Sequence, residues 1–252
     1  MEQPLQEDTK IKDFLHVIDD SKIELNVKDL LEIFTFVDSM EKKLNLVSTE
    51  LQNVKTQLNE LNLQIDSSNT MIHRLESRLT LAHSRLKRLK SVIKSNVTKG
   101  TLAFKQFGMK GLLKTLDFIQ IKRAFQSFQA TVTLSITSAT KSIDKIDRIS
   151  QEFDELKKHA KNIAGTIREK EVTPSTSTHS FSSLMKKPFQ TNINLLSSIK
   201  ELTNKSIKKL DNFEQKVATF PKKPSLLGQL KSTQKQAKKD SLSTDKKIES
   251  TR

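Results

Sequence analysis

The sequence predicts an all-α protein. It reads as a long coiled-coil helix or a helical hairpin, then further amphipathic helices, then a disordered basic C-terminal tail. Three observations predict this. Gly and Pro number five each in 252 residues, too few for a strand-and-turn protein with tight hairpins. There is no Trp, Tyr or Cys and the aromatic residues are 13 Phe, which suits narrow helix–helix seams better than one thick core. Above all, apolar residues alternate by threes and fours from Leu30 to Ile93, far beyond the three or four heptads that argue for a coiled coil.

Residues 1–25 supply a short helix and a connection. In KIKDFLHVIDD (10–20), Ile11, Phe14, Leu15 and Ile18 share one face. A break is expected near Ser21–Asn26, where Ser21 or Asn26 could cap the next helix.

Residues 26–98 are the heptad segment. With Leu30 at position a, the a positions are Leu30, Val37, Leu44, Leu51, Leu58, Ile65, Ile72, Leu79, Leu86 and Ile93. The d positions are Ile33, Met40, Val47, Val54, Leu61, Ser68, Leu75, Ala82 and Leu89. Lys42, Lys43, Glu50, Gln52 and Asn53 flank a seam in which Ser68 alone is polar. The weak point is Asp66-Ser67-Ser68-Asn69, whose side chains can bond local backbone and cap a new helix. Two arrangements are open: one unbroken helix, because the phase continues, or a hairpin turning at 66–69.

Charge bears on that choice. The net of +15 hides a split: residues 1–65 carry −6 and residues 66–130 carry +10. A hairpin would set an acidic arm (30–65) against a basic one (72–95). The basic peak holds Arg74, Arg78, Arg85, Lys87, Arg88, Lys90, Lys94 and Lys99, opposed only by Glu76. These lie off the seam. They form either a solvated or internally paired face, or a stripe for phosphates or anionic lipid.

Residues 99–170 continue as a basic amphipathic and helical segment. Over 100–130 the heptad is lost, and Gly100, Gly108 and Gly111 loosen the helix. Phe104, Phe107, Leu112, Leu113, Leu116, Ile119, Phe125 and Phe128 make an apolar face beside Lys105, Lys110, Lys114, Lys122 and Arg123. Such a face packs on the protein, lies on a membrane or takes a partner helix. The GMKG sequence lacks phosphate-loop spacing. Periodicity resumes over 131–170 through Val132, Ile136, Ala139, Ile143, Ile146 and Ile149. Residues 171–189 read as a Ser/Thr linker with a Pro near each end. A helix over 190–219 carries Ile193, Leu196, Ile199, Leu202, Ile207, Leu210 and Phe213. The Lys-rich tail, 220–252, has too little apolar content to offset the entropy of ordering.

No enzyme is expected. The chain shows no nucleophile elbow, paired carboxylates in an apolar pocket or phosphate cradle. With no Cys and five scattered His, no metal, cofactor or small-molecule substrate is expected. The polar start Met1-Glu2-Gln3-Pro4 has no secretory character and no apolar run approaches bilayer length. The expected location is cytoplasmic, with peripheral membrane association as the alternative. The leading functional reading is a non-catalytic interaction or scaffold protein that pairs through its seam with itself or a partner coiled coil. The alternatives are nucleic-acid binding through the basic face and tail, and membrane association.

The order of elements, with DLLEIFTFVDSMEKKLNLVSTELQNVKTQLNEL (29–61), AFKQFGMKGLLKTL (103–116) and the KKPS-containing tail (222–225 onward), resembles a domain-of-unknown-function family of helical coiled-coil proteins. That family occurs in Gram-positive bacteria and their mobile elements. The resemblance implies a setting accessory to such an element and carries no activity. Where the family tends to have Gly near position 67, this chain has Ser67-Ser68.

Overall fold

Apolar spacing by threes and fours is kept along nearly the whole chain, and helices form wherever it runs. The computed structural model describes residues 3–20, 27–60, 66–167 and 177–218. Among these there is a 3-10 turn, Leu5–Glu7, and the helices α1 (Thr9–Asp20), α2 (Val27–Glu60), α3 (Asp66–Thr115), α4 (Phe118–Ile167) and α5 (Ser177–Ala218). The chain divides into two compact units, Met1–Gln215 and Lys216–Arg252. Of the second, only the end of α5 falls within the described residues. The capping roles of Ser21 and Asn26 and the tail at 220–252 lie outside them.

The heptad segment is a hairpin. Three polar pairs link α2 to α3: Glu41 with Lys90 at 2.8 Å, Ser48 with His83 at 3.1 Å, and Lys55 with Glu76 at 3.1 Å. Each step of seven residues up α2 is a step of seven down α3, so the helices run antiparallel in constant register. All six residues hold heptad position e, the flank where paired helices exchange polar contacts. Inside these rungs, the seam from Leu30 to Val54 and from Ile72 to Ile93 is buried, none of it above 6% exposed. Leu61 and Ile65 lie outside the described residues, as does the side chain of Leu58. Of the two open arrangements the hairpin is the one found, but Asp66–Asn69 are not its turn: these residues already form the start of α3. Ser and Asp favour a helix start, where their side chains serve free N–H groups, and that same property makes them read as a turn.

The N-terminus is held on this hairpin by carboxylates. Asp38 of α2 accepts the N–H groups of Leu5 at 2.8 Å and Gln6 at 3.2 Å, and Leu5 is fully buried. Asp8 starts α1. Its carbonyl accepts from Ile11 and Lys12, and its carboxylate accepts from the Lys10 N–H at 3.0 Å.

α3 reverses near its end. Gly108 has φ +61°, outside the helical region and costly for any residue with a Cβ. The chain then folds back so closely that a Cβ on Gly111 would lie 2.3 Å from the Ala103 carbonyl oxygen. Leu112 and Leu116 pack on Gly100, where Phe14 of α1 also arrives. Asn96 fixes the next corner. Its carbonyl oxygen accepts the Asp117 N–H at 2.9 Å, its amide donates to Gln120, and Asp117 caps α4 by accepting the Gln120 N–H at 2.8 Å.

The inward face of α4 is Phe118, Ile121, Phe125, Phe128, Val132, Ser135, Ala139, Ser142 and Ile146; that of α5 is Phe189, Asn192, Leu196, Ile199, Thr203, Ser206, Leu210 and Phe213. Both sets step by threes and fours, so the repeat resumes at Phe118 rather than after residue 130. Ser135, Ser142, Thr203 and Ser206 take buried places while Ile136, Ile143, Leu202 and Ile207 are only half-buried. Each hydroxyl donates to the carbonyl one turn back at 2.9–3.0 Å, which satisfies it within its own helix. α5 also starts earlier than expected. It takes in residues 177–189 and carries Pro188 inside it. An interior Pro costs about 3 kcal/mol, and burial of Pro188 and Phe189 offsets much of that.

α5 runs antiparallel to α4, through Lys122 with Asp211 and Glu214, Gln129 with Asn204, and Asp147 with Lys186. It meets α2 through Lys209, which reaches Asp29 at 2.8 Å and Glu32 at 2.7 Å. Helices α2, α3, α4 and α5 thus close a ring in which each opposes its two neighbours, an up-down-up-down bundle. No described helix is long and apolar enough to cross a membrane.

Candidate polyanion-binding face

The cations of the predicted stripe do not act together. The Lys90 side chain is 2% exposed and bound to Glu41. Lys94 pairs with Asp8 at 2.9 Å. Burial opposes the charge on Asp8, but the Lys94 ammonium and the N–H groups of Lys10 and Ile11 outweigh it and hold the carboxyl below its ordinary value. Lys87 is exposed and engaged in an interaction of its own. The acidic arm therefore absorbs part of the basic arm.

The four arginines are placed differently. Arg74, Arg78, Leu81, Arg85, Arg88 and Val92 step by threes and fours and make one stripe of α3. Gln120, Arg123, Ser127, Leu134, Ser138 and Lys141 make the matching stripe of α4. Between them run two grooves. One is lined by Arg85, Arg88, Val92, Gln120, Arg123, Ala124 and Ser127. The other is lined by Thr70, His73, Arg74, Ser77, Arg78, Leu81, Leu134, Thr137, Ser138 and Lys141. Six cations converge here and no carboxylate lines either groove. None of the six is engaged in an ion pair among the described residues. Arg74, Arg78, Arg88, Arg123 and Lys141 are exposed and Arg85 is half-buried.

Local structure explains the one-sided charge. Residues 77–116 contain no Asp or Glu and ten Lys or Arg. Among the α2 carboxylates, Glu41 is spent on Lys90, Asp29 and Glu32 on Lys209 of α5, and Asp38 on the N-terminal turn. α4 brings its acids later, at Asp144 and Asp147, beyond the groove. Arg74 to Arg88 spans about 21 Å at 1.5 Å per residue. Arg123 and Lys141 are not in the stripe that the sequence predicts. In sequence Arg123 only flanks an apolar face, and antiparallel pairing of α3 with α4 is what brings it alongside Arg88.

The apolar face of 100–128, open in sequence to packing, a membrane or a partner helix, is largely spent on packing. Leu112, Phe125 and Phe128 are fully buried, while Leu102, Phe107 and Ile119 stay exposed. The displaced lysine pKa values belong to structural clamps. Burial opposes the Lys122 ammonium, yet Asp211 and Glu214 raise its pKa; Asp29 and Glu32 raise that of Lys209. Among the described residues, no three His, Asp or Glu side chains group so as to hold a metal ion.

No curated protein and no solved structure matches this chain. A family model does, over residues 7–251, which takes in every helix above apart from the first residues of the N-terminal turn. The chain therefore belongs to DUF6674, a family of unknown function.

Proposed function

We propose that this chain is a non-catalytic helical protein that binds the phosphate backbone of nucleic acid along the α3/α4 face. One observation carries the reading: Arg74, Arg78, Arg85, Arg88, Arg123 and Lys141 line adjoining grooves without a carboxylate among the lining residues. The guanidinium fork matches phosphate oxygens two at a time. Ser77 and Ser127 add hydroxyls of the kind that contact phosphates. No aromatic side chain of the Phe, Tyr or Trp kind lines either groove, so the chemistry favours backbone contact over base stacking. A stripe of about 21 Å covers roughly six phosphates of one strand at 3.4 Å each. The heptad seam is less suited to a partner, because its side chains are already covered within one chain.

The test is fluorescence anisotropy of a labelled duplex at ~50 and ~200 mM salt. Binding that weakens steeply with salt is expected. The R74Q/R78Q/R85Q/R88Q variant should flatten the slope by about 0.9 per lost contact. No binding at the lower salt, or equal binding by the variant, overturns the reading.

A further inference from the structure

The reversal at Gly108 makes a tip. Gly108 turns the chain out of α3 at φ +61°. Gly111 then lies against Ala103 and Phe107, and Leu112 returns to Gly100. The residues between, Lys105, Gln106, Phe107 and Lys110, are exposed. Phe107 is the most exposed large apolar side chain described, at 71%, followed by Leu102 at 61%. Both are unusual. By contrast Phe14, Phe125, Phe128, Phe189 and Phe213, on inward helix faces, are at most 1% exposed.

Within residues 99–114 every charged side chain is a lysine. Leu102 sits three residues from Lys99 and three from Lys105, on one helical face. Lys110 follows Phe107 across the turn. Lys99, Lys105, Lys110 and Lys114 are all exposed, and the nearest carboxylate in sequence is Asp117. An aromatic side chain on a convex turn, ringed by lysines, suits a deformable anionic surface.

We propose that this tip docks the protein on anionic phospholipid bilayers, with Phe107 entering the headgroup boundary and Lys99, Lys105 and Lys110 meeting lipid phosphates and carboxylates. One inserted ring beside a few lysines is a weak, reversible anchor, since stable attachment needs two signals. The site shares no residue with the α3/α4 groove and stands independently of that reading.

The chain has no Trp, so F107W installs a single reporter at an exposed position. With the full chain, vesicles of phosphatidylcholine containing about 30% phosphatidylserine should blue-shift its emission, and pure phosphatidylcholine should not. In sedimentation with the same vesicles, F107S should lose about tenfold in partition, and K105Q/K110Q should lose the dependence on anionic lipid. R74Q/R78Q/R85Q/R88Q should still bind. Unchanged emission, which would leave Phe107 for the apolar pocket of a protein partner, overturns the proposal. So does binding that survives F107S and is lost in the arginine variant, because the groove would then hold the headgroups.

Discussion

Lys90 and Glu41 meet across the α2/α3 interface at 2.8 Å, with 2% of the lysine side chain and 24% of the glutamate side chain exposed. The two partners are unequal. Glu41 keeps some contact with water, whereas Lys90 has, among the described residues, only Glu41 and, at 3.4 Å, the Gln3 carbonyl. Removing one member of a buried pair strands the other, at about 3–5 kcal/mol when the stranded charge is fully enclosed. E41Q should therefore cost about 3 kcal/mol by leaving Lys90 uncompensated. K90M should cost less, because Glu41 can hydrate and the methionine fills the space. Urea unfolding midpoints of both variants check this, and equal losses would refute the asymmetry.

The middle rung should make stability pH-dependent. Burial holds the His83 pKa below its ordinary value, and the nearby Glu41 carboxylate only partly opposes this. The unfolded chain therefore takes up a proton more readily than the folded one. The contribution of neutral His83 is present above the ordinary imidazole value of 6.5 and is lost as pH falls below it toward the lowered folded value. H83Q should flatten the pH dependence of the unfolding midpoint between about 7 and 5. A wild-type midpoint that does not fall across that range contradicts the assignment.

Asp38 holds the N-terminal turn through two backbone N–H groups. Hydrogen bonds to a charged acceptor contribute about 1.5–3 kcal/mol, so D38A should free residues 3–8 locally before it destabilises the bundle. Hydrogen exchange at Leu5 and Gln6 should accelerate strongly while exchange in α4 stays slow. D38N should fall between the two, because its amide offers one acceptor in place of two.

Two glycines differ in what they forbid. At Gly108 a Cβ meets nothing within 4 Å, but φ +61° with ψ −151° is a region adopted almost only by glycine, so G108A incurs backbone strain of about 1–3 kcal/mol without a clash. At Gly111 a Cβ would meet the Ala103 carbonyl oxygen at 2.3 Å and Phe107 Cβ at 2.7 Å, and the tip must open to accept it. G111A should therefore cost more than G108A in thermal unfolding. It should also change protease sensitivity around 103–111, which G108A should not.

These relationships mark how far the sequence carries. The period of threes and fours specifies the all-α class, and its seam residues from Leu30 to Val54 and from Ile72 to Ile93 are buried. Periodicity is blind to direction, so the heptad phase alone leaves the hairpin and the unbroken helix open. Asp66–Asn69 fit a helix start as well as a turn, because caps and turns use the same side chains. In α4 and α5 the apolar pattern finds Val132, Ala139, Ile146, Leu196, Ile199, Leu210 and Phe213 of the inward face but also includes Ile136, Ile143, Leu202 and Ile207, which are only half-buried. Ser135, Ser142, Thr203 and Ser206 point inward because a hydroxyl bonded to its own helix tolerates burial. The basic face is half legible: its arginines on α3 stand out in the sequence, but Lys90 and Lys94 fall in the same group. Only the fold shows that those two lysines are matched by Glu41 and Asp8, and that Arg123 and Lys141 take their place.

Asn192 on α5 offers the last test. It is fully buried, and neither atom of its amide has a hydrogen-bond partner among the described residues. Its neighbours in the inward stripe, Phe189 and Leu196, are apolar. A buried polar group left unpaired costs about 1–3 kcal/mol, and replacing it with an apolar side chain of similar shape removes that cost. N192L should therefore raise the unfolding free energy by about 1–3 kcal/mol, whereas N192A should leave a cavity and gain little. A lone polar group in a helical seam also fixes register and partner choice in some assemblies. N192L should accordingly broaden the states sampled, visible as extra species in native mass spectrometry or poorer dispersion of methyl resonances. Loss of stability in N192L would mean that the amide is satisfied within the bundle after all.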